Sequence, residues 1–120
     1  MKNNCKLGEH DIRPWGKWKV TAIGEGFIKK EIEVKAGEIL SLQRHNHREE
    51  EWTIVRGFGQ ITLDGELHDV KTGDVFIIPL GAWHRIHNTG TQVLVFHETQ
   101  LGDILDENDI ERRDDKYKRA

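Results

Sequence analysis

Residues 41–52 read SLQRHNHREEEW and gather two histidines, two arginines, one glutamine and three consecutive glutamates within twelve positions. Side chains two residues apart on a β-strand point to the same face, so Gln43, His45 and His47 would share a face if this stretch is extended. Glu50 follows after a short turn and would begin the next strand. The stretch therefore predicts that amide, imidazole and carboxylate groups converge on one side of a β-scaffold.

Short runs of alternating apolar and polar residues recur along the chain, and each run ends at glycine, aspartate or proline. Asp64-Gly65 predicts a two-residue hairpin turn, because both residues tolerate the positive φ that such a turn needs. No helix of three turns is predicted before Leu101. The expected strands are 17–22, 27–34, 39–45, 50–55, 60–63, 66–70, 75–78, 83–87 and 92–98. This pattern favours an all-β double sheet or small barrel whose mouth can hold one ligand.

Length and composition favour a single globular unit. The chain has 120 residues, of which 36% are hydrophobic and 32% are charged. We expect one domain over residues 1–120 with its core at about 13–100. Acids and bases crowd together after residue 100, so residues 101–120 are expected to form a charged tail that packs locally, with one helical turn.

Composition and charge argue against a membrane span, a nucleic-acid surface and secretion. No apolar run approaches the roughly 20 residues that cross a membrane. The net charge is -3 and the basic residues are scattered among acids, so we expect no nucleic-acid surface. The first ten residues lack the apolar core of a secretory signal, and the single cysteine, Cys5, has no partner for an internal disulfide. These features predict a cytoplasmic protein.

A metal site needs a third donor from elsewhere in the chain. His84 follows the turn PLGAW at the start of another predicted strand. Nitrogen and oxygen donors from separate strands, with positions left open for substrate, are typical of a catalytic site for one divalent metal ion. We expect Zn first, with Mn, Fe, Co and Ni as the alternatives that such mixed ligation accepts.

Two longer motifs contain these residues. Written with x for any residue, residues 37–57 read G-x5-Q-x-H-x4-E-x6-G, and residues 73–88 read G-x5-P-x-G-x2-H-x3-N. Both resemble the paired motifs of the cupin superfamily, with Gln43 where the first motif commonly has histidine. The resemblance implies a cupin double-stranded β-helix, also called a jelly-roll barrel.

Within the cupins, the chain resembles the type II phosphomannose isomerase domain of bifunctional mannose-1-phosphate guanylyltransferase/phosphomannose isomerases. The similar stretches are RPWG (13–16), LSLQRHNHREEEW (40–52), IPLGAWHRIHN (78–88) and DENDIERRDDKY (106–117). One difference is Glu51, at a position where that family often has histidine. The resemblance covers the chain from about residue 13 to residue 117.

The resemblance implies a set of four metal ligands, because phosphomannose isomerases also replace the first cupin histidine by glutamine. That set is Gln43, His45, Glu50 and His84. A shift of two residues keeps the same strand face and gives the alternative set of His45, His47, Glu50 and His84. Side-chain parity leaves both sets open.

The implied activity is the isomerisation of mannose 6-phosphate to fructose 6-phosphate through an enediol. If His47 is not a ligand, we expect it to move the proton, and we expect Arg85 to bind the phosphate or the enediolate. The expected partner is a small-molecule sugar phosphate, and by analogy with other cupins we expect a homodimer. Two alternatives stay open because one fold hosts many reactions: a non-catalytic metal- or sugar-binding cupin, and a small-molecule cupin dioxygenase.

Overall fold

The computed structural model describes residues 2–3, 5–106 and 108–113, and this part of the chain contains β-strands and no helix. It therefore has no helix with the length and apolarity that a membrane crossing requires. The strands are β1 (Lys2–Asn3), β2 (His10–Arg13), β3 (Gly16–Gly24), β4 (Phe27–Val34), β5 (Leu42–Arg44), β6 (Glu49–Arg56), β7 (Phe58–Leu63), β8 (Glu66–Lys71), β9 (Val75–Ile78), β10 (His84–His87), β11 (Leu94–Leu101), β12 (Ile104–Leu105) and β13 (Glu111–Arg113).

Two antiparallel sheets enclose the core. One sheet has the strand order β2-β3-β4-β11-β6-β9, and the other has the order β13-β5-β10-β7-β8. Alternate side chains of both sheets are buried in one hydrophobic cluster, with Ile32 and Phe96 from the first sheet and Ile61 and Ile86 from the second. This is the double-sheet, all-β arrangement that the alternating sequence pattern predicts.

The turn at Asp64-Gly65 is confirmed. Leu63 pairs with Glu66 across it, and the φ angles of Asp64 and Gly65 are 47° and 84°. Positive φ at both central residues is the type I′ geometry that matches the right-handed twist of the flanking strands.

Glycine serves a different purpose at Gly16, where a Cβ atom would lie against the Glu33 carbonyl oxygen of the neighbouring strand. The RPWG stretch therefore ends in glycine because two backbones approach closely there.

All nine predicted strands overlap observed ones, but the prediction of a strand over 39–45 was too long. The strand covers only Leu42–Arg44, and Ile39 makes an isolated bridge to His87. The chain bends after His45 because the next backbone N–H groups, those of Asn46 and His47, donate to the Asp109 carboxylate rather than to a strand. The alternation of side chains stops at this bend.

The prediction of a charged tail with one helical turn over residues 101–120 was wrong for the part that the structure describes. Residues 104–105 pair in parallel with β1, and residues 111–113 pair antiparallel with β5. The short β5 would otherwise leave unpaired backbone groups at the edge of its sheet, and β13 covers them. Residues 107 and 114–120 lie outside the described residues.

Candidate metal centre

Three buried side chains from different strands converge on one point. The ligand atoms of His45, Glu50 and His84 all lie within 4.8 Å of one another, and each residue is at most 3% exposed. His45 follows the end of β5, Glu50 lies on β6, and His84 begins β10. The Nε2 atom of His45 is 3.2 Å from Glu50 Oε2, and the Nε2 atom of His84 is 3.7 Å from Glu50 Oε1.

Hydrogen bonds behind the rings aim both imidazoles at this point. The Nδ1 atom of His45 lies 2.7 Å from the Asp109 carbonyl oxygen, and that of His84 lies 3.0 Å from the Ala82 carbonyl oxygen. A carbonyl oxygen only accepts, so each Nδ1 carries the proton and each Nε2 presents a lone pair. Carbonyl partners of this kind commonly orient metal-binding histidines.

The charges of His45 and Glu50 also favour binding of a metal cation. Burial lowers the pKa of His45 to about 4, against the opposing effect of the Glu50 carboxylate, so the ring is neutral near pH 7. Burial alone would raise the pKa of Glu50, but the Arg48 guanidinium and the neighbouring imidazoles more than offset this and hold the pKa below its usual range. Glu50 is therefore ionised, and its Oε1 atom accepts a hydrogen bond of 2.8 Å from the Trp52 indole.

The donor set fits one divalent metal ion. Two imidazoles and a carboxylate, each held in place by a hydrogen bond, are the mixed nitrogen and oxygen ligands that Zn and related ions accept. Gln43 is the pairing partner of His84 across β5 and β10. Its amide nitrogen donates to the Ser41 hydroxyl at 2.9 Å, so its carbonyl oxygen is the atom suited to a fourth ligand position.

The structure does not bring His47 to this group. Its side chain is exposed, and its backbone N–H donates to the Asp109 carboxylate at 2.9 Å. The expectation that His47 shares a face with His45 fails because β5 ends at Arg44 and the chain bends immediately afterwards. Both the alternative ligand set and the assignment of His47 as the proton carrier depended on that shared face. Of the two sets, the one with Gln43 is compatible with the structure.

A cavity adjoins the metal group, and basic side chains dominate its charged lining. His84 and Gln43 line it, and Glu98 is an acidic group among the lining residues. The basic lining residues are Arg13, Lys30, Arg48, Arg85 and Arg112. The indole N–H of Trp15, another lining residue, is buried and has no acceptor among the described residues. Buried donors of this kind are usually satisfied by a bound water or ligand.

Arg85 and Arg44, the arginines next in sequence to His84 and His45, lie in different places. Arg85 lines the cavity, as its predicted role requires, although its Nε atom already donates to the Leu40 carbonyl oxygen at 3.0 Å. Arg44 instead forms an ion pair with Glu111 at 2.9 Å and stacks on the Trp83 ring. Arg44 is thus part of the outer surface, whereas the binding role of Arg85 stays a prediction.

Sequence reasoning missed several polar residues of the cavity wall, among them three on strands of the first sheet. Lys30, Glu98 and Gln100 are all buried, and the Gln100 amide donates to Glu98 at 2.8 Å. Burial and the nearby Glu50 carboxylate raise the pKa of Glu98 to about 8. Their signal was present in the sequence, because each occupies a position where strand alternation predicts an inward apolar residue.

Comparison with known proteins identifies the family. Residues 2–115 match the family described as "Mannose-6-phosphate isomerase C-terminal". The chain belongs to this family. Mannose-1-phosphate guanylyltransferase ManC of Salmonella typhimurium is 41% identical over 108 residues, which make up 90% of this chain and 22% of that protein. The chain therefore spans less than a quarter of the length of ManC.

Solved structures confirm the cupin fold. The Cnp3 cupin domain of Schizosaccharomyces pombe superposes with a TM-score of 0.70 over 77% of this chain and 74% of that chain, at 23% identity. A protein of Acidithiobacillus ferrooxidans, provisionally named a sugar phosphate isomerase, superposes with a TM-score of 0.64 over 80% of this chain and 68% of that one, also at 23% identity. At these identities the likeness establishes the double-stranded β-helix and nothing about the reaction.

Asp109 offers a test of how the site is held. Its carboxylate accepts the backbone N–H groups of Asn46 and His47, each at 2.9 Å, and its carbonyl oxygen accepts from the His45 ring. We expect Asp109→Ala to weaken Zn binding by roughly tenfold, because the carboxylate bonds to Asn46 and His47 hold in place the segment whose carbonyl oxygen orients the His45 ring. Asp103→Ala, at an exposed position of the same segment, is the matched control. Titration against a chromogenic chelator measures both, and equal affinities would show that Asp109 does not position the ligand.

Proposed function

We propose that this protein is a metal-dependent sugar-phosphate isomerase that interconverts mannose 6-phosphate and fructose 6-phosphate through an enediol. The observation that carries the proposal is the convergence of His45, Glu50 and His84 beside a cavity with five basic lining residues. Membership of the mannose-6-phosphate isomerase C-terminal family supports the substrate class. Some longer relatives, among them ManC of Salmonella typhimurium, are named for guanylyltransferase activity, so the isomerase activity has to be assayed on this chain itself.

The cavity suits an anionic sugar. An ion bound by the three ligands, with Gln43 as the fourth, would supply positive charge beside the oxygen atoms at which negative charge develops. Arg85 belongs to the lining next to His84, where a guanidinium can hold a phosphate or enediolate oxygen in a fork. Burial of the lining residues strengthens such contacts, since charges interact more strongly away from water.

A proton must also move between carbon 1 and carbon 2 of the sugar, and the exposed His47 is badly placed for this step. Glu98 lies on the cavity wall with the Gln100 amide donating to its Oε2 atom at 2.8 Å. A carboxyl group in the wall is within reach of a sugar held in the cavity, and this geometry is the requirement for a general acid or base. We therefore assign the proton transfer to Glu98.

The first test links the metal to turnover. Native protein loaded with Zn should convert mannose 6-phosphate to fructose 6-phosphate, and His84→Ala should lose both the metal and the conversion because one of three convergent ligands is gone. His68→Ala is the control, since His68 lies on β8 with its side chain 40% exposed. Metal content by mass spectrometry and product formation in a coupled assay are the readouts. Undiminished conversion by a metal-free His84→Ala protein would contradict the proposal.

A second test addresses the proton carrier. Glu98→Gln keeps the size of the side chain and removes its ability to exchange a proton, so kcat should fall by about 100-fold or more while bound metal stays at the native level. Glu66→Gln, at a position whose side chain is 80% exposed, should leave both quantities unchanged. Native kcat in Glu98→Gln would remove Glu98 from the mechanism without affecting the metal assignment.

A further inference from the structure

The Arg48 guanidinium contacts the same atoms that the metal ligands would offer to an ion. Its Nε atom lies 2.9 Å from Glu50 Oε2, and its Nη2 atom lies 3.2 Å from His45 Nε2. Arg48 is itself only 8% exposed. A buried cation is thus bonded to two of the three ligands.

This contact and a bound metal exclude each other at His45. The ring donates through Nδ1 to Asp109, so its Nε2 atom has a single lone pair to offer. A Zn–N bond is about 2.0–2.1 Å long and uses that lone pair. An N–H group that already points at it from 3.2 Å must leave before the bond can form.

Arg48 also lies between the cavity and two of the ligands. His84 and Gln43 line the cavity directly, whereas His45 and Glu50, the two residues to which Arg48 is hydrogen-bonded, are not among its lining residues. Displacement of the Arg48 guanidinium would free the ligand atoms of His45 and Glu50 for an ion.

The contact also compensates the buried charge of Glu50. Glu50 is 1% exposed, and a buried carboxylate without a positive partner is strongly destabilising. Arg48 provides such a partner. An ion therefore has to compete with the Arg48 guanidinium, three residues from His45 in the chain, for the ligand atoms of His45 and Glu50.

We propose that Arg48 is an internal competitor for the metal, and that metal binding displaces its guanidinium into the cavity, where it binds the anionic oxygens of the substrate. The second half of this statement rests on the proposed sugar-phosphate isomerase function, whereas the first half does not. The displaced group joins Arg13, Lys30, Arg85 and Arg112, the other basic residues of the cavity lining. Metal and sugar phosphate then bind in order, since the ion creates part of the anion site.

One substitution should move two affinities in opposite directions. Arg48→Met keeps an unbranched side chain and removes the charge, so we expect Zn to bind at least tenfold more tightly in competition with a chromogenic chelator. The same variant, saturated with Zn, should bind mannose 6-phosphate at least tenfold more weakly by calorimetry. A merely structural role for Arg48 would weaken both. Arg44→Met, which removes an arginine paired with Glu111 outside the cavity, should change neither affinity.

A measurement on the native protein does not depend on how Arg48→Met folds. In protein labelled with ¹⁵N-arginine, the Nε–H resonance of Arg48 is assigned by its loss in Arg48→Lys, which keeps the positive partner of Glu50. It should shift on saturation with Zn, because the bond to Glu50 breaks or lengthens. A resonance that stays unchanged in the metal-loaded protein would overturn the proposal, and so would equal or weaker Zn binding by Arg48→Met.

The outcomes also separate the two proposals. If Arg48→Met binds Zn more tightly but native protein binds no mannose 6-phosphate, the competition stands, and both the anion-binding half and the isomerase function are overturned. If native protein binds and converts the sugar phosphate while Arg48→Met binds it equally well, the isomerase function stands and the displaced guanidinium is not part of the substrate site.

Discussion

Burial of the Glu50 carboxylate is the constraint on which the rest of the site depends. The side chain is 1% exposed, so each of its oxygen atoms needs a donor or a cation. Trp52 donates to one oxygen and Arg48 to the other, and His45 and His84 face the same group. A carboxylate surrounded in this way is costly in a stable core but well suited to hold a divalent ion, and this chemistry accounts for His45, Arg48 and Glu50 within residues 41–52, whereas Glu49 and Glu51 are exposed.

Most of the fold was predictable because its strands and turns depend on residues that are close together in the sequence. Alternation of apolar residues placed β4 and β9 at their observed bounds, and Asp64-Gly65 placed the hairpin between β7 and β8. The inward positions of Glu50 and His84 followed from the same alternation and from the spacing of the two motifs. These features depend on neighbours a few residues apart, which a single sequence displays.

What sequence reasoning missed depends on bonds between distant residues. His47 leaves the ligand face because Asp109, 62 residues further along, binds its backbone and bends the chain. The same segment then supplies β13 to the edge of β5, so a region with the composition of a tail belongs to the sheet. Lys30, Glu98 and Gln100 are exceptions, since polar side chains at inward strand positions are visible in the sequence.

The central claim is that His45, Glu50 and His84 together bind one divalent ion, and X-ray absorption at the zinc K-edge of the Zn-loaded protein tests it most directly. Binding by these three residues should give a first coordination shell of nitrogen and oxygen atoms at about 2.0–2.2 Å, with the multiple-scattering signal of two imidazole rings. Sulfur in the first shell, which would implicate Cys5, or the signal of fewer than two imidazoles would contradict it.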